Sequence, residues 1–275
     1  MWSNILKDRE ANYTRHVIDN LKDKSWAKPL MKVFNDEGGF ISENMPTMFE
    51  LRFAFELSKA GYIPEYEYNG GVGNSTIDFR VENDKNIWLI ELVSLRTSNA
   101  ANKAIKQVGQ NEYRQIFSSE FSDKQTEEDE MITAIQKIGE KVYQNNKIIK
   151  FPEIESNIWH MIFIDARGYL DQGGDEYDYR QMAWGKKGIP AECIHYSKNA
   201  EGKLEHIKGI FEESCPIKSS EYIRRRIHFL GFVNEREYIE SEIINGSSYF
   251  FNQDLFANKD EKKAFGSFPL NINRV

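Results

Sequence analysis

The sequence predicts an α/β or α+β chain, a β-sheet covered by helices, and three observations predict it. Apolar residues recur at helical spacing among charges through the first sixty positions. Short apolar runs, one of them alternating, follow a glycine-rich turn at Asn69-Gly70-Gly71-Val72-Gly73-Asn74. Helical and strand patterns then succeed one another to about residue 233. The chain has 275 residues, of which 40% are hydrophobic and 13% aromatic, enough to bury a sizeable core. That apolar supply excludes disorder as the main state.

Residues 1–45 read as two amphipathic helices, carried by Ile5, Val17, Ile18, Leu21, Trp26, Leu30, Met31 and Phe34, and broken at Glu37-Gly38-Gly39. A third helix is expected over about 47–60, with Thr47 and Glu50 forming a capping box and Gly61 stopping it. Two strands follow. Thr76 to Val81 alternates, with Ile77, Phe79 and Val81 on one face and Thr76, Asp78 and Arg80 on the other. Ile87 to Ser94 is apolar on both faces except for Glu91, as in a central strand covered on both sides. Helices are expected at about 99–117 and 131–144, around an acidic loop from Ser118 to Glu130. Later strands are expected at Ile158 to Asp165, Leu204 to Phe211 and Ile227 to Val233, and 240–275 reads as irregular. The division is therefore an N-terminal helical segment (1–45), an α/β domain (46–240) and an irregular C-terminal extension (241–275).

Composition narrows the partners. The longest apolar stretch, near Ile158 to Ile164, is far shorter than the ~20 residues of a membrane-spanning helix. Charges sit where a signal peptide would be apolar, and Cys193 and Cys215 lack zinc or disulfide spacing, so a reduced, cytoplasmic protein is expected. Net charge is −7, but unevenly spread: residues 180–275 hold 15 basic and 13 acidic residues, leaving 21 basic and 30 acidic in 1–179. An acidic first part can serve solubility alone or collect carboxylates around a metal.

Asp78 and Glu91 are the pair that matters. Pairing Glu82 with Ile87 closes a four-residue loop and places Asp78 directly opposite Glu91. Their Cβ atoms would then lie about 4.5–5.5 Å apart, where like charges repel. A carboxylate inside an apolar strand also carries a desolvation cost. A divalent cation between the two would compensate, Mg²⁺ or Mn²⁺ by the hardness of the ligands. A guanidinium from Arg80 or Arg96 would do so too, with no chemistry attached. Glu50 has a similar double reading, as a helix cap or as a third carboxylate.

A helix with Glu50 (Phe-Glu-Leu-Arg), a strand with Asp78 (Thr-Ile-Asp-Phe), a strand with Glu91 (Leu-Ile-Glu-Leu-Val) and a following polar helix resemble, in that order, the PD-(D/E)XK nuclease superfamily. The resemblance covers roughly residues 45–117. It implies a restriction-endonuclease-like fold, a central mixed sheet flanked by helices, and Mg²⁺- or Mn²⁺-dependent hydrolysis of DNA phosphodiesters, associated in the family with restriction or defence. It further implies metal binding by Asp78, Glu91 and the backbone carbonyl of Leu92, with Glu50 in support. One departure stands out: the family lysine belongs where Val93 stands. Lys103, or else Lys106, on the expected next helix would replace it. Lys103, Gln107, Gln110 and Arg114 would form one helical stripe, either simply solvated or facing nucleic-acid phosphates. Val93 also keeps open a catalytically inactive module that binds nucleic acid or a protein. A homodimer or a partner subunit is compatible with either reading.

Other signals lead nowhere. Gly73-Asn74-Ser75-Thr76 lacks the lysine and following helix of a phosphate-binding loop. His16, His160, His195, His206 and His228 show no zinc spacing, and no Gly-x-Ser-x-Gly elbow occurs. Arg224-Arg225-Arg226 reads as a solvated helix end or a phosphate contact, and Asp165, at the end of a strand, as a turn-forming residue ahead of a reserve carboxylate.

Overall fold

The computed structural model describes residues 8–39, 41–96, 105–109, 112–115, 126–169, 173–199, 201–233, 247–256 and 261–270. The architecture is mixed α/β, built on a six-stranded mixed sheet with helices on both faces. Its strands are β1 (Glu65–Tyr68), β2 (Ile77–Asn83), β3 (Asn86–Ser94), β8 (Ile158–Asp165), β11 (Phe229–Val233) and β12 (Ser247–Phe251), adjacent in that order. The central three, β3, β8 and β11, run parallel, and both edges are antiparallel. Three two-stranded ribbons lie outside this sheet: β4–β5 (Ile105–Gly109 and Glu112–Gln115), β6–β7 (Tyr143–Gln144 and Lys147–Ile148) and β9–β10 (Tyr196–Lys198 and Leu204–His206).

Alternation along β3 explains the layering. Trp88, Ile90 and Leu92 join one core with α1 (Asp8–Leu21), α2 (Lys28–Asp36) and α3 (Met45–Lys59). Leu89 and Val93 join a second core with α4 (Glu127–Glu140), α5 (Glu176–Trp184) and α6 (Ser220–Arg226). A strand buried on both faces must be apolar on both, and Glu91 is the one buried residue of β3 that breaks this rule. Gly231 in β11 allows that tight packing. A Cβ there would stand 2.4 Å from Cδ2 of Phe163 and 2.6 Å from Cε of Met161. Gly231→Ala is therefore expected to cost about 2–3 kcal/mol by overpacking; an unchanged urea midpoint would contradict the packing described.

Several expectations are corrected. The stretch expected as a helix over 99–117 contains the β4–β5 ribbon among its described residues, with Lys106 opposite Arg114 and Gln107 opposite Tyr113. A helical stripe of Lys103, Gln107, Gln110 and Arg114 therefore does not form, and Lys103 and Gln110 lie outside the described residues. The helix expected at 131–144 begins at Glu127, because Thr126 accepts from the Asp129 amide and Asp129 accepts in return from the Thr126 amide. It ends at Glu140, and 143–148 turns back as a ribbon. The strand expected from Leu204 to Phe211 is only three residues long.

The C-terminal stretch read as irregular contributes β12 to the sheet, a short helix α7 (Glu261–Phe265), and Phe256, Phe268 and Leu270 to the first core. The Ser267 carbonyl accepts from Trp88 Nε1 at 3.0 Å and from Asn83 Nδ2 at 2.8 Å, tying this segment to β2 and β3.

Candidate functional site

The β2–β3 register is the one the sequence implies. Glu82 pairs with Ile87 and Phe79 with Ile90, and the pairing runs on to Asn83 and Asn86, shortening the loop to Asp84-Lys85. One more step along this ladder brings Asp78 opposite Glu91. Regular pairing stops at Phe79, and there the alternation expected of β2 fails. Phe79 and Val81 belong to the first core, but Ile77 belongs to the second. Asp78 sits at this irregularity. Its Oδ2 accepts from the Leu92 amide at 2.6 Å, filling the place of a ladder bond. The Asp78 carboxylate and the Leu92 main chain are therefore in direct contact, immediately beside Glu91.

Glu91 is completely buried. Two lysine ammonium groups converge on its Oε1, Lys150 at 2.5 Å and Lys141 at 2.9 Å. Its Oε2 is buried with no hydrogen-bond partner among the described residues. Arg80 and Arg96 do not neutralise the pair: Arg80 bonds Glu82 and Glu65, and Arg96 donates to the Glu43 carbonyl.

The two lysines flank the β6–β7 ribbon, whose first strand falls at the end of the helix expected over 131–144. Tyr143 pairs with Ile148, and the Ile149 amide donates to the Val142 carbonyl. Lys141 closes helix α4 and Lys150 follows β7, and their ammonium groups meet on one oxygen of Glu91 at the ribbon's base. Like charges brought this close repel unless an anion stands between them, and here Glu91 is that anion. The sequence signal was Asn145-Asn146 between two short apolar runs; both asparagines have positive φ, 49° and 60°, as a tight two-residue turn requires.

Glu50 completes the cluster from α3. The expected capping box does not exist, because Pro46 lets the helix start at Met45 and Asn44 takes the cap position. Thr47 instead donates to Glu37 at 2.5 Å, and Glu50 Oε2 accepts from the Tyr66 hydroxyl at 2.9 Å. With no capping role, Glu50 faces the strand carboxylates.

Electrostatics confirm how crowded the acids are. Burial, followed by repulsion from Glu91 and Glu50, holds the Asp78 carboxyl well above the usual range. Burial pushes Glu50 up to about 7, against the Tyr66 hydrogen bond and Lys141, which favour the charged form. Burial works against the Lys141 ammonium, but the attraction of Glu91 and Asp78 outweighs it and raises the pKa. Three carboxyl groups share two ammonium groups, and the raised values of Asp78 and Glu50 show that the crowding favours their protonated forms.

Among the described residues, no group of three or more His, Cys, Asp or Glu side chains is arranged to hold a metal ion. The donor chemistry nevertheless suits Mg²⁺, which keeps most of its waters and binds through one or two carboxylates plus a substrate phosphate. Asp78 and Glu91 supply two neighbouring carboxylates, and Oε2 of Glu91 is a buried oxygen without a hydrogen-bond partner among the described residues.

Asp165 is a turn-forming residue, as expected: it accepts from the Arg167 amide at 3.1 Å, and it lies in a buried ion pair with Arg167, which also binds Glu10. Arg224 and Arg226 are engaged by the Glu212 carbonyl and by Glu153 respectively. Among Glu50, Asp78, Glu91 and Leu92, all four meet at one place; Lys141, Lys150 and Tyr66 are the members that motif reading missed. Comparison with family models, with curated proteins and with solved structures returned no match.

Proposed function

We propose that the chain is a metal-dependent nuclease of the restriction-endonuclease-like class, hydrolysing DNA phosphodiesters at the Glu50–Asp78–Glu91 cluster. The observation that carries this reading is the buried Glu91, with one oxygen held by two lysines and the other without a partner, next to a second strand carboxylate. Asp78 and Glu91 would hold the Mg²⁺ or Mn²⁺, with the Leu92 carbonyl as a third oxygen; when bound, the ion would activate water and offset charge on the phosphate.

The chain's own residues would do the rest. Lys141 and Lys150 take the place of the lysine missing at Val93, supplying positive charge to the phosphate as negative charge develops on it. Lys141, the more exposed of the two at 34% against 14%, is better placed to reach substrate, while Lys150 fixes the Glu91 carboxylate. Glu50, oriented by Tyr66, would direct a water toward the phosphorus atom. This assignment replaces Lys103 and Lys106.

The test is cleavage of plasmid and single-stranded DNA with Mg²⁺ or Mn²⁺. Asp78→Asn and Glu91→Gln are expected to abolish cleavage, and Lys141→Met to lower it by about 10²-fold or more. Cleavage that survives Asp78→Asn would remove the proposal.

A second reading has one observation behind it: the two ammonium groups already neutralise much of the acidic cluster. A catalytically inactive module that binds nucleic acid or protein would be stabilised in this way. Absence of cleavage on every substrate, together with no heat of Mn²⁺ binding by calorimetry, would favour it.

A further inference from the structure

The geometry points to the β6–β7 ribbon as a DNA-reading finger that enters the major groove beside the cluster. The DNA partner rests on the reading above; the ribbon's own features supply the rest. Its residues Gln144, Asn145, Asn146 and Lys147 are all exposed. Its base is the Lys141–Lys150 pair on Glu91, so tip and cluster are mechanically one piece. Asn145 stands four positions beyond Lys141, which puts the tip no more than about 13 Å from the cluster at ordinary strand rise. A two-stranded ribbon fits the DNA major groove, about 12 Å wide.

The tip is also held rigid. Tyr143 stacks on Tyr222 of α6 with centroids 4.1 Å apart and planes 9° from parallel. Lys218 lies over the Tyr143 ring at 5.6 Å and donates to Asn146 Oδ1 at 2.6 Å. An exposed two-residue turn supported in this way loses little entropy on binding.

Its charge suits the partner. Lys147 and Lys218 are exposed and have no ion-pair partner among the described residues, whereas Arg225 nearby is paired with Glu221. Two uncompensated cations flanking two side-chain amides match a phosphate–base–phosphate surface. Lysines would contact the backbone, and asparagine amides can pair with an adenine edge.

Two double variants test this without disturbing the site. Lys147→Ala with Lys218→Ala removes the cations. Asn145→Gly with Asn146→Gly keeps the positive-φ turn but removes the amides. Binding of a fluorescein-labelled mixed-sequence DNA duplex is followed by anisotropy in chelator, over a series of salt concentrations, after thermal melts confirm folding. Loss of the lysines is expected to weaken binding about tenfold and to flatten the slope of log K against log salt by about 1.8. Loss of the amides is expected to weaken binding at an unchanged slope.

Wild-type affinity and slope in the lysine variant would overturn the ribbon's role, as would failure of the wild type to bind duplex DNA. Cleavage by the wild type with an unaltered lysine variant would leave the nuclease standing and remove the finger. Ribbon-dependent binding without any cleavage would do the reverse.

Discussion

Glu91→Gln is expected to destabilise the fold by about 3–5 kcal/mol, the usual consequence of removing one partner from a buried ion pair. Glutamine keeps the shape but removes the anion, leaving Lys141 and Lys150 opposed at the base of the ribbon with only a neutral amide between them. Asp78→Asn should act in the opposite direction on stability. Asparagine still accepts the Leu92 amide bond through its carbonyl oxygen, and one of three mutually repelling carboxylates is gone. A gain of about 1–2 kcal/mol is expected, the recurrent signature of a site held in place against its own stability. Denaturant unfolding at neutral pH checks both. If Glu91→Gln were neutral, or Asp78→Asn costly, the description of a lysine-bridged, over-acidic cluster would fail, whatever the activity assays gave.

The second large effect concerns pH. His160 is fully buried, its Nδ1 2.8 Å from the Arg226 carbonyl, and burial pushes its pKa down to about 4. Its folded value lies below the unfolded value of about 6.5, so the unfolded chain binds the proton first. The stability it contributes is complete above about pH 6.5 and is lost as pH falls toward 4, about 3 kcal/mol in all.

Glu50 runs the other way. Its folded pKa of about 7 lies above the ordinary carboxylate value, so folding is favoured at low pH and penalised as pH rises through 7. Discounted for its partial exposure, that penalty is about 1–2 kcal/mol. The two groups offset one another between pH 4.5 and 7. Glu50→Gln should therefore raise stability at pH 8 and make the acid side of the profile steeper. A profile that keeps its wild-type shape would contradict the opposed pair.

The sequence by itself determined the local features of this protein. Alternation between Phe79 and Val81 and the all-apolar run around Glu91 specified two strands. Turn residues at Asp84-Lys85 set their register, and hence the meeting of Asp78 with Glu91, because a slip of one residue would turn every core side chain to the wrong face. Those features depend on neighbours a few residues apart.

What neutralises the pair depends on residues distant in sequence, and only the tertiary structure decided it. Lys141 and Lys150 lie 50 and 59 positions beyond Glu91, on a ribbon whose Asn-Asn turn gives no hint of what its base will touch. Glu50 was legible as a helix residue, yet its freedom from capping followed from where Pro46 let the helix begin. Ion pairs are chosen by proximity in three dimensions. No periodicity along a chain encodes that choice.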